Sequence, residues 1–271
     1  MAKYEDLQGK RVIVTGGASG IGLSTAQRFV EEGSKVYIFD INGKALEQAL
    51  EENPGFAGGT VMDVGDETSV KQGFAEADGI IGGVDILISN AGISIRNLFR
   101  DTNYEQWRRV LNTNLDGMYL CAKEALDRMD RQKSGVILMT ASNNGMEAHP
   151  YYTDYNVSKA GVILLTRTLA VEYAPHIRVN AICPGYVLTP MQKAEYTDEM
   201  FEKVNQGIPM KRHANPEEVA ALFAFLASGE ASYITGQHIP IDGGETAKLL
   251  ADFVQFQYCM HDNGRPPDKL S

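Results

Sequence analysis

The chain has few cysteines and no long apolar segment. Its 271 residues include three cysteines, Cys121, Cys183 and Cys259, without a CxxC or CxxH pattern. An odd number of widely spaced cysteines favours neither a disulfide framework nor a zinc site, so we expect no bound metal. No uninterrupted apolar run approaches the roughly 18 to 20 residues that a membrane-spanning helix needs, which argues against a membrane protein.

Positive charge is also scarce. Lysine and arginine number 25 against 35 acidic residues, which gives a formal net charge of −10. Phosphate groups attract basic surfaces, so this balance argues against nucleic acid or an anionic membrane as the main partner. The first six residues are polar and charged and lack the apolar core of a secretory signal. We therefore expect a cytoplasmic protein that acts on a small molecule.

Short apolar runs alternate with helical patterns along the whole chain. Four or five continuous apolar residues suit strands that are buried on both faces of a parallel sheet. The pattern predicts an α/β fold, a single doubly wound Rossmann-type domain over residues 1–246 with a seven-stranded parallel sheet flanked by helices. The predicted strands are Arg11–Val14, Lys35–Phe39, Thr60–Met62, Val84–Ile88, Gly135–Met139, Arg178–Ile182 and His238–Ile241.

Three helices are predicted with defined ends. One covers Ile21–Glu32, and another covers Tyr104–Gln132 with Asn103 as its N-cap. A third begins at Thr153 or Asp154 and continues to Ala174, before a proline. The second and third helices carry apolar faces wider than a single sheet contact requires.

A glycine-rich turn follows the first predicted strand and opens the first predicted helix. Gly16, Gly20 and Gly22 would let the backbone approach a pyrophosphate, toward which the helix N-terminus directs its amide groups. Asp40 ends the second predicted strand, where its carboxylate would accept hydrogen bonds from the ribose of NAD and repel the 2′-phosphate of NADP. The alternative is that Asp40 caps the helix near Ala45.

Tyr155 and Lys159 stand one helical turn apart. A phenol with a pKa of about 10 is a poor base at neutral pH, but a nearby ammonium group favours the phenolate. The tyrosine then becomes a usable proton acceptor for an alcohol. Such a pair also occurs by chance on many helices, and its weight comes from the motifs that accompany it.

Those motifs, in this order, resemble the short-chain dehydrogenase/reductase family from about residue 7 to 245. They are the glycine turn, Ser89-Asn90-Ala91-Gly92, Asn114-Leu115-Asp116-Gly117, Ser142, Tyr155-x-x-x-Lys159 and Pro184-Gly185. The resemblance implies a NAD-dependent oxidoreductase that moves a hydride between a secondary alcohol or ketone and the cofactor. It implies that Tyr155 is the general acid/base, that Ser142 binds the substrate oxygen and that Asn114 holds a water that relays protons to Lys159.

The resemblance also implies a set of cofactor-binding residues. Asp63 would bind the adenine amine, Val187 would bind the carboxamide through its backbone, and Lys159 would hold the nicotinamide ribose. Family members that prefer NADP usually carry a basic residue where this chain has Ser19 or Ile41 and Asn42. The full set is Gly16, Ser19, Gly20, Ile21, Gly22, Asp40, Asp63, Val64, Asn90, Ala91, Gly92, Tyr155, Lys159, Pro184, Gly185, Val187 and Thr189.

Polar side chains near these motifs suggest the substrate. The candidates are Ser142, Asn144, His149, Tyr155, Gln192 and Arg96. They favour a sugar, polyol or hydroxy acid, and hence a role in carbohydrate metabolism, with Arg96 on any anionic group. A surface role for Arg96 or His149 is the alternative.

Two other functions are compatible with these motifs. A 3-oxoacyl carrier-protein reductase would share the catalytic residues, and a non-catalytic NAD-binding family member would share the fold. The resemblance implies a homotetramer or a homodimer formed through the two wide-faced helices, while ordinary sheet packing is the alternative. The extension 247–271 contains Phe253, Phe256 and Tyr258, and we expect it to pack on its own domain or on a neighbouring subunit.

Overall fold

The computed structural model of the protein describes residues 4–247. Seven parallel strands form one sheet in the order β3-β2-β1-β4-β5-β6-β7. This confirms the predicted doubly wound α/β fold. The strands are β1 (Arg11–Thr15), β2 (Lys35–Asp40), β3 (Gly58–Val61), β4 (Ile86–Ser89), β5 (Gly135–Thr140), β6 (Ile177–Pro184) and β7 (His238–Ile241).

The strand order reverses at β1, which lies between β2 and β4. Val12 is in register with Val36 on one side and with Ile86 on the other. In open parallel sheets the loops on the two sides of such a reversal diverge and leave a crevice at the carboxyl ends of the strands. The fold therefore offers a binding site where β1, β4 and β5 end.

Helices cover both faces of the sheet. They are α1 (Gly20–Glu31), α2 (Gly43–Glu52), α3 (Glu67–Ile81), α4 (Tyr104–Leu111), α5 (Gly117–Gln132), α6 (Thr153–Tyr173), α7 (Pro190–Glu195), α8 (Asp198–Gly207) and α9 (Pro216–Ala227). Alternate residues of each strand enter different cores: Ile13 packs with α3, α5 and α6, whereas Val12 and Val14 pack with α1, α2 and α9.

The helix predicted over Tyr104–Gln132 differs from the structure in its middle. Asn103 caps its start as predicted, since its side chain accepts a hydrogen bond from the Gln106 amide at 2.8 Å. A π-helical segment, Asn112–Asp116, then separates α4 from α5. A π-helical turn contains one residue more than an α-helical turn, and an apolar pattern with a 3.6-residue period does not reveal it. The sequence therefore predicted one continuous helix.

Residues 248–271 lie outside the described part of the chain, and so do the predictions made for nearly all of the C-terminal extension, including its three aromatic residues. Between residues 4 and 247, no helix is long and apolar enough to cross a membrane.

Candidate active site

The glycine turn is closely packed and requires its glycines. Gly16 and Gly20 have φ angles of +64° and +54°, in the left-handed region that favours glycine. A β-carbon on Gly22 would lie 2.0 Å from the Gly16 carbonyl oxygen and 2.7 Å from the Asn90 Nδ2. Gly22 therefore lets α1 start directly against the turn, which brings the amides of its first turn to the crevice.

A cavity of about 460 Å³ opens beside this turn, at the carboxyl ends of the central strands. We call it the larger cavity. Thirteen of the predicted cofactor-binding residues line it: Gly16, Ser19, Gly20, Ile21, Asp40, Asp63, Val64, Asn90, Ala91, Gly92, Tyr155, Lys159 and Thr189. The remaining four are placed otherwise, with Gly22 packed under the turn, Val187 buried and bridged to Ala214, and Pro184 and Gly185 at the end of β6.

Asn90 ties the ends of three strands together. Its backbone amide donates to Thr15 Oγ1 at 2.9 Å, and its side-chain Nδ2 donates to the Thr15 carbonyl at 3.2 Å. Its Oδ1 accepts a hydrogen bond from Thr140 Oγ1 at 3.0 Å. These bonds fix the floor of the larger cavity, because they join the ends of β1, β4 and β5.

Asp40 lies at the wall of the larger cavity, where β2 ends. Its carboxylate accepts from the Ala18 amide of the glycine turn at 3.1 Å and from the Asn42 amide at 2.9 Å. The cap of α2 is Asn42, whose side chain accepts from the Ala45 amide. The helix-capping alternative for Asp40 is therefore wrong, and its carboxylate faces the turn and the cavity.

Lys159 is buried behind Tyr155. Its Nζ lies 5.5 Å from the centre of the Tyr155 ring and donates a hydrogen bond to the Thr140 carbonyl at 2.7 Å. The side chain is only 2% exposed, and this burial lowers the pKa of Lys159 to about 8. At neutral pH the group is still mainly protonated, so a positive charge stands one helical turn from the phenol.

Ser142 follows β5 and is buried beside two asparagines. Its Oγ accepts a hydrogen bond from the Asn144 amide at 3.2 Å and lies 3.1 Å from Asn143 Oδ1, to which it can donate. The Oγ position is thus fixed from two sides by the short turn that begins here.

A smaller cavity of about 80 Å³ adjoins the larger one. Its lining residues are Ser94, Ser142, Asn143, Asn144, His149, Tyr152, Tyr155, Gly185, Tyr186, Met191, Gln192 and Tyr196. Tyr155 and Met191 line both cavities. The tyrosine ring is therefore a shared wall, with Lys159 on the side of the larger cavity and Ser142 on the side of the smaller one.

Five of the six predicted substrate residues line the smaller cavity, and Arg96 does not. The Arg96 guanidinium stacks 5.0 Å from the ring centre of Tyr151 and 5.9 Å from that of Tyr196. Because Tyr196 is a lining residue, Arg96 lies just behind the wall. The Nε2 of Gln192 is buried and has no hydrogen-bond partner within the described part of the chain.

Asn114 lines neither cavity but supports the larger one. It lies in the π-helical segment, where its Nδ2 donates to the Ile93 carbonyl at 2.9 Å and to Ser158 Oγ at 3.2 Å. A β-carbon on Gly92 would lie 3.3 Å from Asn114 Oδ1 and 3.5 Å from Lys159 Nζ. The asparagine is thus close to the lysine, and its water-holding role stays a prediction.

Several wall residues were missed by sequence reasoning. Those of the larger cavity are Met62, Ile93, Arg109, Asn112, Thr113 and Thr140. Most are not part of a short motif, and only the fold brings them to one place. Asn112 and Thr113 carried a usable signal, since they directly precede Asn114 in the π-helical segment, and Arg109 lies about one turn earlier, on α4.

The larger cavity fits a nicotinamide dinucleotide. The turn would admit no side chain at Gly22, which leaves bare backbone and a helix N-terminus for a pyrophosphate. Asp40 offers a carboxylate for a ribose, and Lys159 is a buried cation at the far end, next to the candidate acid/base. No group of three or more potential metal ligands occurs in the part of the chain that the structure describes.

Comparison with known proteins places the chain among oxidoreductases. Residues 16–246 match a family described as enoyl-(acyl carrier protein) reductase. The chain is 41% identical to the 3beta-hydroxysteroid dehydrogenase 1 of Eggerthella lenta, across 90% of this chain and 96% of that protein. It is 39% identical to the 3-oxoacyl-[acyl-carrier-protein] reductase of Thermotoga maritima, across 88% and 98%.

A solved structure agrees with these relatives. The crystal structure of a short-chain type dehydrogenase/reductase from Mycobacterium marinum superposes with a TM-score of 0.84 at 36% identity, and the match covers 90% of this chain and 98% of that one.

Proposed function

This chain belongs to the short-chain dehydrogenase/reductase family, and we propose that it is a NAD-dependent dehydrogenase of a small, polar secondary alcohol. Hydride transfer between a nicotinamide cofactor and an alcohol or ketone is the reaction of its relatives. One observation carries the proposal: Tyr155 is the shared wall of the two cavities, between Lys159 and Ser142.

The residues divide the proton chemistry among them. The bound cofactor supplies the hydride acceptor when the alcohol is oxidised. Tyr155 takes the hydroxyl proton, and the buried ammonium of Lys159 favours the phenolate that does so. Ser142 donates a hydrogen bond to the substrate oxygen, and its fixed Oγ holds that oxygen within reach of Tyr155.

The choice of NAD over NADP rests on Asp40. Its carboxylate faces the glycine turn, and a negative charge there disfavours a 2′-phosphate. Arg109 is a cation on the same cavity, but it belongs to α4 rather than to the end of β2. The same carboxylate, together with the net charge of −10, counts against a reductase of acidic carrier proteins.

The smaller cavity supports a small substrate. Its volume of about 80 Å³ is well below the roughly 300 Å³ typical of pockets for drug-sized ligands. Asn144, His149 and Gln192 give it a polar wall, which suits a polyol, sugar or hydroxy acid, and Arg96 is close enough behind Tyr196 to attract an anionic group. A hydroxysteroid is the second candidate, favoured by the 41% identical relative.

We also propose a cytoplasmic homotetramer or homodimer. Apolar side chains stay exposed on α5 and α6, among them Tyr119, Leu164 and Val171, the last 82% exposed. A second copy of the chain would cover them. Light scattering on the purified protein measures the oligomeric state, and a monomer would contradict this part of the proposal.

The experiment that tests the function is a substrate panel. The full chain is assayed for NADH formation with meso-2,3-butanediol, 2-butanol, glucose, a 3-hydroxy acid and a 3β-hydroxysteroid, each with NAD and with NADP. We expect turnover of at least one polar substrate with NAD. Turnover of the steroid alone would replace the substrate class, and no turnover with any secondary alcohol would overturn the proposal.

A further inference from the structure

A buried carboxylate lies close to the catalytic serine, although it lines neither cavity. Glu245 stands in the turn after β7 and is only 7% exposed. Its Oε2 accepts a hydrogen bond from Asn143 Nδ2 at 2.8 Å, and Asn143 is itself 3% exposed. Burying a carboxylate is costly unless polar partners compensate for the lost water, so this contact is an important part of the local structure.

The carboxylate determines which way the Asn143 amide faces. The Nδ2 of Asn143 points toward Glu245 and donates its hydrogen bond to the carboxyl oxygen Oε2. Its Oδ1 then points the other way, to 3.1 Å from Ser142 Oγ. A continuous chain of two hydrogen bonds therefore runs from Glu245 through Asn143 to Ser142.

The backbone around Glu245 is arranged to hold this position. Asp242 accepts hydrogen bonds from the Gly244 amide at 2.9 Å and the Thr246 amide at 2.8 Å, which fixes the turn. Across from it, a β-carbon on Gly185 would lie 3.3 Å from Glu245 Oε2 and 2.8 Å from Asp242 Cβ. The glycine at the end of β6 thus makes room for the turn and its carboxylate beside the smaller cavity.

We propose that Glu245 is a positioning residue for the reaction, which acts by locking the Asn143 amide so that Ser142 Oγ stays aimed at the substrate oxygen. Before substrate binds, the serine hydroxyl donates its one proton to Asn143 Oδ1, and its Oγ accepts from the Asn144 amide. When substrate binds, the hydroxyl turns away from Asn143 and donates that proton to the substrate oxygen, while the Asn144 amide still holds Oγ. Misplacement of a catalytic group by about 1 Å can cost about 100-fold in rate, so preorganisation of this kind has a measurable effect. The inference rests on the proposed function, because it assigns a partner to Ser142.

The test compares Glu245→Ala, Glu245→Gln, Ser142→Ala and the double variant Glu245→Ala/Ser142→Ala in the full chain, with Glu230→Ala as an exposed control. We expect Glu245→Ala to lower kcat by about 10- to 100-fold with NADH affinity unchanged. Glu245→Gln should stay within about threefold of wild type, because its Oε1 still accepts from Asn143. The double variant should be no slower than Ser142→Ala, since the two residues act as one unit.

The results distinguish a failure of the proposed function from a failure of the positioning role. Ser142→Ala with wild-type kcat would overturn the proposed function. A slow Ser142→Ala beside a fast, folded Glu245→Ala, or losses that multiply in the double variant, would overturn only the positioning role. If Glu245→Ala fails to fold, Asn143→Ala serves instead, because it breaks the same chain of hydrogen bonds. We expect the double variant Asn143→Ala/Ser142→Ala to have the same kcat as Ser142→Ala. An unchanged kcat in Asn143→Ala alone would contradict the inference.

Discussion

The side chain of Asn114 pairs with the backbone of Ile93 through two hydrogen bonds. Its Oδ1 accepts from the Ile93 amide at 2.8 Å, and its Nδ2 donates to the Ile93 carbonyl at 2.9 Å. The π-helical segment is thereby joined to the loop after β4, which forms one wall of the larger cavity. Because Nδ2 also donates to Ser158, the same asparagine connects that loop to α6, which carries Tyr155 and Lys159.

The first prediction concerns Tyr155→Phe. The substitution removes only the hydroxyl group, so we expect turnover to fall by about 100-fold or more while NADH affinity stays nearly unchanged. Lys159, Asp40 and the glycine turn remain in place to hold the cofactor. Steady-state rates and NADH fluorescence titration measure the two effects.

Tyr104→Phe is the matched control, because Tyr104 lies at the start of α4 and is exposed. It should behave like the wild type in both assays. Activity of Tyr155→Phe within tenfold of wild type would contradict the assignment of the general acid/base.

The strands and the glycine turn were predictable because their signals are local. A run such as Val12 to Val14 is apolar at every position, since both faces of the strand are buried. The turn was recognisable because glycine is favoured where φ is positive, as at Gly16 and Gly20. Order and spacing then sufficed to predict the sheet, and the family resemblance implied most of the wall of the larger cavity.

Other parts of the site depend on contacts between distant segments. Asn143 and Glu245 are 102 residues apart in sequence, and nothing in the composition of either segment indicates that they meet. The sequence of the π-helical segment gives no signal of its conformation either, because its apolar positions also fit one continuous α-helix. Arg96 was expected to contact the substrate, yet its stacking on two tyrosines depends on where α7 and the loop before α6 come together.

Cofactor choice is the second prediction. We expect wild-type kcat/KM to be higher with NAD than with NADP, and Asp40→Asn to narrow that ratio by about 10- to 100-fold, because it removes the charge that repels a 2′-phosphate. Asparagine keeps one oxygen for the Ala18 amide, so the contact with the glycine turn should stay intact, and only the hydrogen bond from the Asn42 amide is lost. The exposed variant Asp101→Asn should leave the ratio unchanged. A wild-type enzyme that uses NADP as well as NAD would show that Asp40 does not decide the cofactor.

The third prediction uses the lowered pKa of Lys159. Burial lowers this pKa from 10.5 to about 8, so the folded state binds fewer protons than the unfolded state between these two values. Below pH 8 the buried charge lowers the free energy of unfolding by its full amount, and this destabilisation decreases as pH rises toward 10.5. In the cofactor-free protein, the melting temperature of Lys159→Met minus that of the wild type should therefore fall as pH rises across this window.

Comparing the two proteins at each pH cancels the shared groups that do not interact with Lys159, including the buried thiol of Cys121. Cys183 does interact with Lys159, but burial raises the pKa of its thiol to about 12, which is above this window. The variant also loses the hydrogen bond to the Thr140 carbonyl, but that loss does not depend on pH. Lys44→Met, at an exposed position on α2, should give a difference that is flat from pH 7 to 10. A flat difference for Lys159→Met as well would mean that its pKa is not lowered.

The last prediction concerns the buried amide of Gln192. Gln192 lines the smaller cavity, and its Nε2 has no hydrogen-bond partner among the described residues, so a substrate oxygen is the partner that would satisfy it. Gln192→Met removes the donor at similar volume. We expect it to raise KM for meso-2,3-butanediol by about 2- to 10-fold, the value of one hydrogen bond, and to leave KM for 2-butanol unchanged, because that alcohol has no second oxygen. Gln206→Met, at an exposed position on α8, should change neither constant. Equal effects of Gln192→Met on the two alcohols would show that the amide shapes the cavity without recognising a second oxygen.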